Sequence, residues 1–210
     1  MNRRPGIIVT MERKLSREFF ARPALEVARD IIGRRLVHRT AGGTVAGIVV
    51  EAEAYTGIDD PASHAYGGRR TRRNEVMWGP PGHAYIYQIY GMHLCFNVVS
   101  GREGEPQGTF IRAVRPAEGL ELMATRRGLP LDDRSVRRLC NGPSKLCQAF
   151  GITRSMNGMD VCADELYFTE GAAPPHVATS RRVGIDYAGE GRERPWRFLW
   201  DGDPSVSRPP

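Results

Sequence analysis

The sequence predicts a single mixed α+β domain, built around a curved, mostly antiparallel β-sheet with flanking helices. Its 210 residues, 40% of them hydrophobic, are enough for one sizeable core, and no repeat or linker divides the chain. Strand and helix patterns alternate without the regular spacing of βαβ units, which argues against a parallel sheet. We expect the domain over residues 14–201, a flexible basic arm at 1–13 and a disordered tail at 202–210.

The first quarter of the chain predicts two short helices and a pair of strands. Ser16 can cap a first helical turn, and Pro23 suits the start of a second helix. Residues 35–39 and 44–55 have the pattern of strands, and the glycines between them favour a tight turn. The sheet is therefore expected to begin with this strand pair.

A loop-rich stretch over residues 56–81 follows, broken by prolines and a pair of glycines. A loop of this length inside a compact domain usually carries function. Residues 84–90 and 94–99 predict a hairpin that turns near Gly91, and residues 109–114 predict a further strand.

The second half of the chain mixes helices with short strands. We expect a helix over residues 116–127, closed by Gly128, and another that starts near Lys145. Short strands are expected in three later segments: 165–169, 182–185 and 196–200.

The chain is moderately basic, and its cations are nearly all arginine. Thirty Lys and Arg residues against 24 Asp and Glu give a formal net charge of +6, and only Lys14 and Lys145 are lysines. The planar, forked donors of arginine suit phosphates, although arginine richness also follows genome base composition. The charge therefore permits a nucleic-acid partner without requiring one.

Cysteine spacing and hydropathy argue against a disulfide scaffold, a metal centre and a membrane protein. The four cysteines show no paired metal-ligand spacing, and the chain is too long for a small disulfide-rich fold. No run approaches the roughly 20 apolar residues that span a bilayer, and nothing resembles a signal peptide. We expect a soluble, cytoplasmic protein (nucleoid-associated if bacterial) with reduced thiols.

Two carboxylates and an aromatic ring share one face of the strand at 44–55. Because side chains alternate along a strand, Glu51, Glu53 and Tyr55 point the same way, and the two acids lie roughly 7 Å apart. That spacing suits an acid–base pair, and equally two structural acids paired with arginines. Arg112, inside another apolar strand, needs an acid, and Glu53 is one candidate.

The predicted hairpin carries aromatic residues and one polar interruption. Tyr85 and Tyr87 share a face and are readily explained as sheet residues. Tyr90 sits at the turn, where a large ring would protrude, and an exposed aromatic there favours a binding role. Asn97 interrupts an apolar run, so its amide needs hydrogen-bond partners.

Loop residues supply candidate phosphate contacts. His64 forms no metal-ligand spacing with Asp59 and Asp60, which argues against a metal site. The arginines that follow it, beginning with Arg69, are either a solvated loop or phosphate contacts. The helix start at Ser144 and Lys145 offers free backbone N–H groups, which also suit a phosphate.

Taken together, these motifs resemble the alkyladenine (3-methyladenine, methylpurine) DNA glycosylase family. The similarity runs in order from about residue 15 to residue 200. Its most specific pieces are Val50-Glu51-Ala52-Glu53-Ala54-Tyr55, Tyr85-Ile86-Tyr87-Gln88-Ile89-Tyr90-Gly91-Met92, Ile111-Arg112-Ala113, Asn141-Gly142-Pro143-Ser144-Lys145 and Arg182-Val183-Gly184-Ile185.

The resemblance implies that the protein flips a damaged purine out of double-stranded DNA and hydrolyses its N-glycosidic bond, without a cofactor or metal and as a monomer. Lesions of the 3-methyladenine, hypoxanthine and ethenoadenine type are the implied substrates. The implied roles are catalytic for Glu53 and Arg112, base pocket for Tyr55, His64, Tyr87 and Asn97, DNA intercalation for Tyr90 and Met92, and phosphate binding for Arg69, Ser144 and Lys145.

Two alternatives remain at the level of sequence. A nucleoside N-glycosidase would need a closed pocket and would give a protruding Tyr90 no purpose. A non-catalytic binder of damaged DNA would be weakened by the anionic Glu53. Because no nucleophilic lysine lies in the motif region, a Schiff-base lyase step is not expected, and the activity should be monofunctional. Residues 164–180, Arg70, Arg72 and His93 depart from the family pattern.

Overall fold

Eight strands form one open antiparallel sheet within residues 13–210, the part of the chain that the computed structural model describes. They are β1 Arg35–Thr40, β2 Gly43–Tyr55, β3 Ala84–Ile89, β4 His93–Ser100, β5 Gln107–Glu118, β6 Leu166–Thr169, β7 Val177–Ser180 and β8 Arg197–Trp200. Six follow the order β3–β4–β5–β2–β1–β6, while β8 pairs with β2 and with β7. Of the arm expected at 1–13, all but Arg13 lies outside the described residues.

The long strand β2 lies at the centre of the sheet. Its first half pairs with β1 and its second half with β8, while β5 runs along the opposite edge. The register with β5 shifts on both sides of Glu51. A bulge re-aims the side chains beside it, and this one immediately precedes Glu53.

Five α-helices occur among the described residues: α1 Arg17–Phe20, α2 Ala24–Asp30, α3 Leu120–Arg127, α4 Asp133–Val136 and α5 Pro143–Phe150. Helix α2 packs on β2 and β5, α5 packs on β4 and β5, and α3 packs on α5. Fully buried phenylalanines, such as Phe96 and Phe168 with ring centroids 6.2 Å apart, fill the space between sheet and helices. The predicted α+β class is confirmed. Within residues 13–210, no helix combines the length and apolarity that a membrane span requires.

The third helix begins later than its sequence pattern predicts. Residues 116–118 extend β5, with Pro116 opposite Gly47, and α3 starts only at Leu120. The reason is Gly119, whose φ of +72° breaks the strand and whose hydrogen lies against β2. A Cβ atom there would lie 2.3 Å from the Thr44 carbonyl oxygen, so only glycine permits this strand-to-helix corner.

The strand expected at 182–185 is not formed. The strand in this region is Val177–Ser180, which pairs with β8. The chain then leaves the sheet, and Arg182 turns inward to an acid rather than joining a ladder. Side-chain burial has overridden a weak β pattern here.

The C-terminal residues pack on the domain instead of forming the disordered tail expected at 202–210. Asp203 and Ser205 are buried, and Asp203 Oδ2 accepts a hydrogen bond from Arg115 Nη1 at 2.6 Å. Ser207 binds a buried carboxylate of β2. Polar contacts hold this segment on the domain. The low hydrophobicity from which disorder was predicted carries no information about such contacts.

Candidate active site

A cleft of about 990 Å³ opens between the loop at 56–81, the hairpin of β3 and β4, and the segment that follows β7. The volume is in the range of ligand pockets. Its lining is rich in rings and guanidinium groups, from Tyr55, His64, Tyr66, Arg69, Arg73, Tyr85, Tyr87, Tyr90, Phe110, Arg112, Tyr187 and Arg208. Flat rings and cations together suit a flat ligand attached to a polyanion.

Arg112 on β5 bridges the two acids of β2. Its Nε donates to Glu51 Oε1 at 2.7 Å, and its Nη1 lies 3.3 Å from Glu53 Oε1. Both carboxylate side chains are fully buried. Burial opposes the charge on Arg112, but the carboxylates of Glu53 and Glu51 outweigh it and raise the pKa of the guanidinium. The expected pairing of Arg112 with Glu53 is present, although Glu51 is the closer partner.

Glu53 is held by three donors from three parts of the chain. Its Oε1 accepts the Val183 backbone N–H at 2.8 Å and faces Arg112, and its Oε2 accepts the Tyr55 hydroxyl at 2.9 Å. A carboxylate has about four lone-pair directions. The described contacts leave Glu53 with capacity for one further donor, which a water molecule could fill.

Glu51 has a different environment, since its acceptors are used by cations and by the tail. Its Oε1 accepts from Arg112, from Arg197 Nε at 2.8 Å and from Ser207 Oγ at 2.8 Å. Its Oε2 accepts the Ser207 N–H at 2.6 Å. Burial favours the neutral acid, but Arg112 and Arg197 outweigh it and lower the pKa of Glu51. Glu51 is thus a buried structural anion, as one of the two sequence interpretations proposed.

Three rings form one wall of the cleft. His64 and Tyr87 meet edge to face with centroids 4.6 Å apart, and His64 Nδ1 lies 2.8 Å from the Tyr85 hydroxyl. Burial, with smaller effects from Arg73 and Arg69, lowers the pKa of His64 to about 4. The imidazole is therefore neutral at physiological pH.

Asn97 lies on β4 at the floor of the cleft. Its side chain is buried, and Nδ2 donates to the Tyr85 carbonyl at 3.0 Å, directly across the β3–β4 ladder. This bond satisfies the partner that the sequence requires for a buried amide. It also holds the side chain in one orientation.

Tyr90 and Met92 project from the hairpin tip. Tyr90 is 88% exposed and Met92 is 72% exposed. Tyr90 has a φ of +50° and Gly91 a φ of +72°, so two successive residues of the three that connect Ile89 to His93 adopt the left-handed conformation. Tyr90 is the one non-glycine residue among the described residues with a positive φ. Strain of this kind, on an exposed aromatic, often marks a functional site.

A positively charged surface lies next to the cleft at the start of α5. Ser144 Oγ lies 2.9 Å from His93 Nδ1 at the base of the hairpin tip, which ties the helix to that tip. Lys145 Nζ donates to the neutral Asn141 Oδ1 at 2.9 Å. Burial and the nearby charges of Arg127 and Arg138 lower the pKa of Lys145.

The sequence matches one family model over nearly its whole length. The model, described as methylpurine-DNA glycosylase, covers residues 18–204. The chain belongs to the methylpurine-DNA glycosylase family. Members of this family are DNA repair glycosylases, so the protein is a monofunctional hydrolase that acts on DNA.

Curated relatives extend the match to entire chains. A protein of Desulfitobacterium hafniense, provisionally named a 3-methyladenine DNA glycosylase, is 48% identical over 200 residues, covering 93% of this chain and 98% of its own. Proteins of Clostridium acetobutylicum and Methanocella arvoryzae, with the same provisional name, are also 48% identical, each covering 92% of this chain and 97% and 96% of their own.

Most residues singled out in the sequence converge on the one cleft of this methylpurine-DNA glycosylase. Tyr55, His64, Arg69, Tyr87, Tyr90, Asn97, Arg112 and Ser144 line it. Glu53 is attached to it through Tyr55 and Arg112. Met92 and Lys145 are sequence neighbours of lining residues without lining the cleft themselves.

The sequence did not predict how the Val183 N–H, a donor to Glu53, is held in position. The neighbouring Arg182 is fully buried and donates to both oxygens of Asp60, at 2.5 and 2.8 Å, and to the Ala54 carbonyl at 2.9 Å. Its guanidinium also lies 4.7 Å from the Tyr55 ring centre. An arginine next to apolar residues signals a buried ion pair, but sequence could not identify an acid 122 residues away.

Proposed function

We propose that the protein initiates base excision repair by removing alkylated or deaminated purines, of the 3-methyladenine, hypoxanthine and ethenoadenine type, from duplex DNA. A water molecule attacks C1′ of the flipped nucleotide. Glu53 takes a proton from this water, the N-glycosidic bond breaks and the purine leaves with the bonding electrons, so that an abasic site remains. A cationic 3-methyladenine leaves as the neutral base and the proton passes to solvent, whereas a neutral purine such as hypoxanthine accepts a proton as it leaves.

The observation that carries this proposal is the environment of Glu53. A fully buried carboxylate that lies beside Arg112 and retains room for one further donor is suited to orient and deprotonate a water. A purely structural acid would use its lone pairs as Glu51 does. Arg112 aligns Glu53 and stabilises its charge.

The cleft walls match a flat, extruded base. Tyr55, His64 and Tyr87 stack around the base, and the neutral imidazole of His64 accepts a cationic alkylpurine without charge repulsion. Asn97, at the floor, collides with the exocyclic amino group of guanine. These contacts select a damaged adenine-like ring over the normal purine.

The outer surface matches a duplex from which one nucleotide has been removed. Tyr90, with Met92 beside it, fills the gap in the base stack. Arg69, Ser144 and Lys145 contact phosphates. One copy of the chain holds all of these groups, which supports a monomeric enzyme, and its DNA substrate supports a cytoplasmic location.

Glu53→Gln tests this function. We expect lesion binding to be kept and single-turnover excision of a 3-methyladenine or hypoxanthine duplex to fall by about 10²–10⁴-fold, since the amide cannot take a proton. Glu121→Gln, which removes the same charge from the exposed side of α3, is the matched control. Near-normal excision by Glu53→Gln would remove Glu53 from the mechanism.

A further inference from the structure

We infer that Ser207, in the segment that follows β8, is a positioning residue for Arg112. The inference rests on the proposed role of Arg112 in aligning Glu53. It concerns a part of the chain that lies beyond the family match, which ends at residue 204. Nothing in the sequence pattern of the tail points to the active site.

The first step is the double contact of Ser207 with Glu51. The hydroxyl donates to Glu51 Oε1 at 2.8 Å, and the backbone N–H donates to Oε2 at 2.6 Å. Among the described contacts, Ser207 is the only partner of Oε2. Without the tail, one oxygen of a fully buried carboxylate has no described donor, a costly state that the side chain would relieve by moving.

The second step leads from Glu51 to Arg112. The guanidinium spans the two acids, with Nε on Glu51 and Nη1 3.3 Å from Glu53. Its remaining nitrogen, Nη2, lies 3.4 Å from the Ser207 hydroxyl. Ser207 therefore contacts both Arg112 and the carboxylate that aims Arg112, and a planar fork held at three points cannot rotate away from Glu53.

The third step is that the tail is fastened on both sides of Ser207. On one side Asp203 binds Arg115 at 2.6 Å, and its Oδ1 accepts the Ser205 N–H at 2.8 Å. On the other side Arg197 donates to the carbonyls of Arg208 and of Pro209. Arg197 also binds Glu51. The tail, Arg197, Arg112 and Glu51 therefore form one connected hydrogen-bond network.

The test compares chain ends and Ser207 variants in the full protein. A chain that stops at Val206 loses both donors, Ser207→Ala keeps the N–H, and Ser207→Thr keeps both. Pro210→Ala, which changes only the exposed last residue and leaves the Pro209 carbonyl in place, is the control. Single-turnover excision, lesion-duplex Kd and melting temperature are measured for each, with Glu53→Gln alongside.

We expect the chain that stops at Val206 to lose about tenfold to a hundredfold in single-turnover rate, because small misplacements of catalytic groups have effects of this size. Ser207→Ala should lose about fivefold, the equivalent of one hydrogen bond. Lesion Kd should stay within about twofold for Ser207→Ala, and Ser207→Thr should keep the parental rate. The Kd of the chain that stops at Val206 also reports the loss of the cleft-lining Arg208. Where the shortened chain fails to fold, the Ala and Thr variants decide.

The inference is overturned if Ser207→Ala excises at the full-length rate, or if rate and Kd weaken together and Thr gives no rescue. Glu53→Gln separates this failure from a failure of the proposed function. If Glu53→Gln is inactive while the tail variants are unaffected, only the role of Ser207 is wrong. If Glu53→Gln is fully active, the proposed mechanism itself is wrong.

Discussion

The Tyr55 hydroxyl donates a hydrogen bond to Glu53 Oε2 at 2.9 Å, although the two residues are only two positions apart on β2. Side chains alternate along a strand, so residues two positions apart share a face and these two side chains can meet. Burial, with a further contribution from the charge of Glu53, raises the pKa of Tyr55 well above its ordinary value. Tyr55 thus stays a hydrogen-bond donor and links the wall of the cleft to Glu53, the proposed general base.

Tyr55→Phe tests this link, because it keeps the ring and removes only the donor. We expect single-turnover excision to fall by about tenfold, the lower end of the range for one hydrogen bond to a charged group, with lesion affinity nearly unchanged. Tyr167→Phe, in a buried cluster on β6 away from the cleft, is the control. A Tyr55→Phe enzyme with full activity would show that Arg112 and the Val183 N–H suffice to orient Glu53.

Substitutions of Tyr90 should change lesion binding and base flipping without lowering the stability of the fold. A wedge offsets the few kcal/mol needed to unstack a nucleotide, so Tyr90→Ser should reduce lesion affinity and the flipped fraction, read with a fluorescent base analogue beside the lesion. Tyr90→Phe should retain both. Tyr90→Gly should also lose flipping without lowering the melting temperature, because glycine accepts the φ of +50° more readily. Unchanged flipping in the Ser variant contradicts the wedge role.

Asn97 should control the rejection of guanine. Its bond to the Tyr85 carbonyl fixes the side chain at the pocket floor, and a fixed group that collides with a competitor gives selectivity. We expect Asn97→Ser to raise release of normal guanine from undamaged duplex more than it changes hypoxanthine excision, both under single turnover. If guanine release does not rise in a folded variant, another group excludes guanine.

The buried imidazole of His64 should make stability depend on pH. Its folded pKa of about 4 lies below the ordinary 6.5, so the unfolded chain binds more protons between these values. The free energy of unfolding should therefore fall as pH drops from about 6.5 to 4. His38, whose pKa burial also lowers, contributes in the same direction.

His64→Gln isolates the contribution of His64, because His38 is present in both proteins. The free energy of unfolding, from urea titrations at pH 7, 5.5 and 4, should fall less in the variant than in the parent. Identical pH profiles would show that His64 is solvated and that its proton is not excluded by the fold.

Local sequence rules predicted those elements whose bounds depend mainly on the residues within them. The alternation in β2, the turn at Gly91 and the end of α3 at Gly128 follow from side-chain period and from glycine backbone freedom. The same rules misplaced the start of α3, because the contact of Gly119 with β2 depends on packing between distant segments.

The sequence alone determined that Glu51, Glu53 and Tyr55 share a strand face, that Tyr90 occupies a hairpin tip, and that the chain belongs with purine DNA glycosylases, because periodicity and motif spacing are properties of the chain. Only the tertiary structure decided which of the two acids keeps room for a further hydrogen-bond donor. Glu51 is saturated by Arg197 from β8 and Ser207 from the tail, while Glu53 keeps room for one donor. Arg197 and Ser207 lie 146 and 156 residues from Glu51 in the sequence, and hydrogen bonds over such separations arise from packing, which no local pattern encodes.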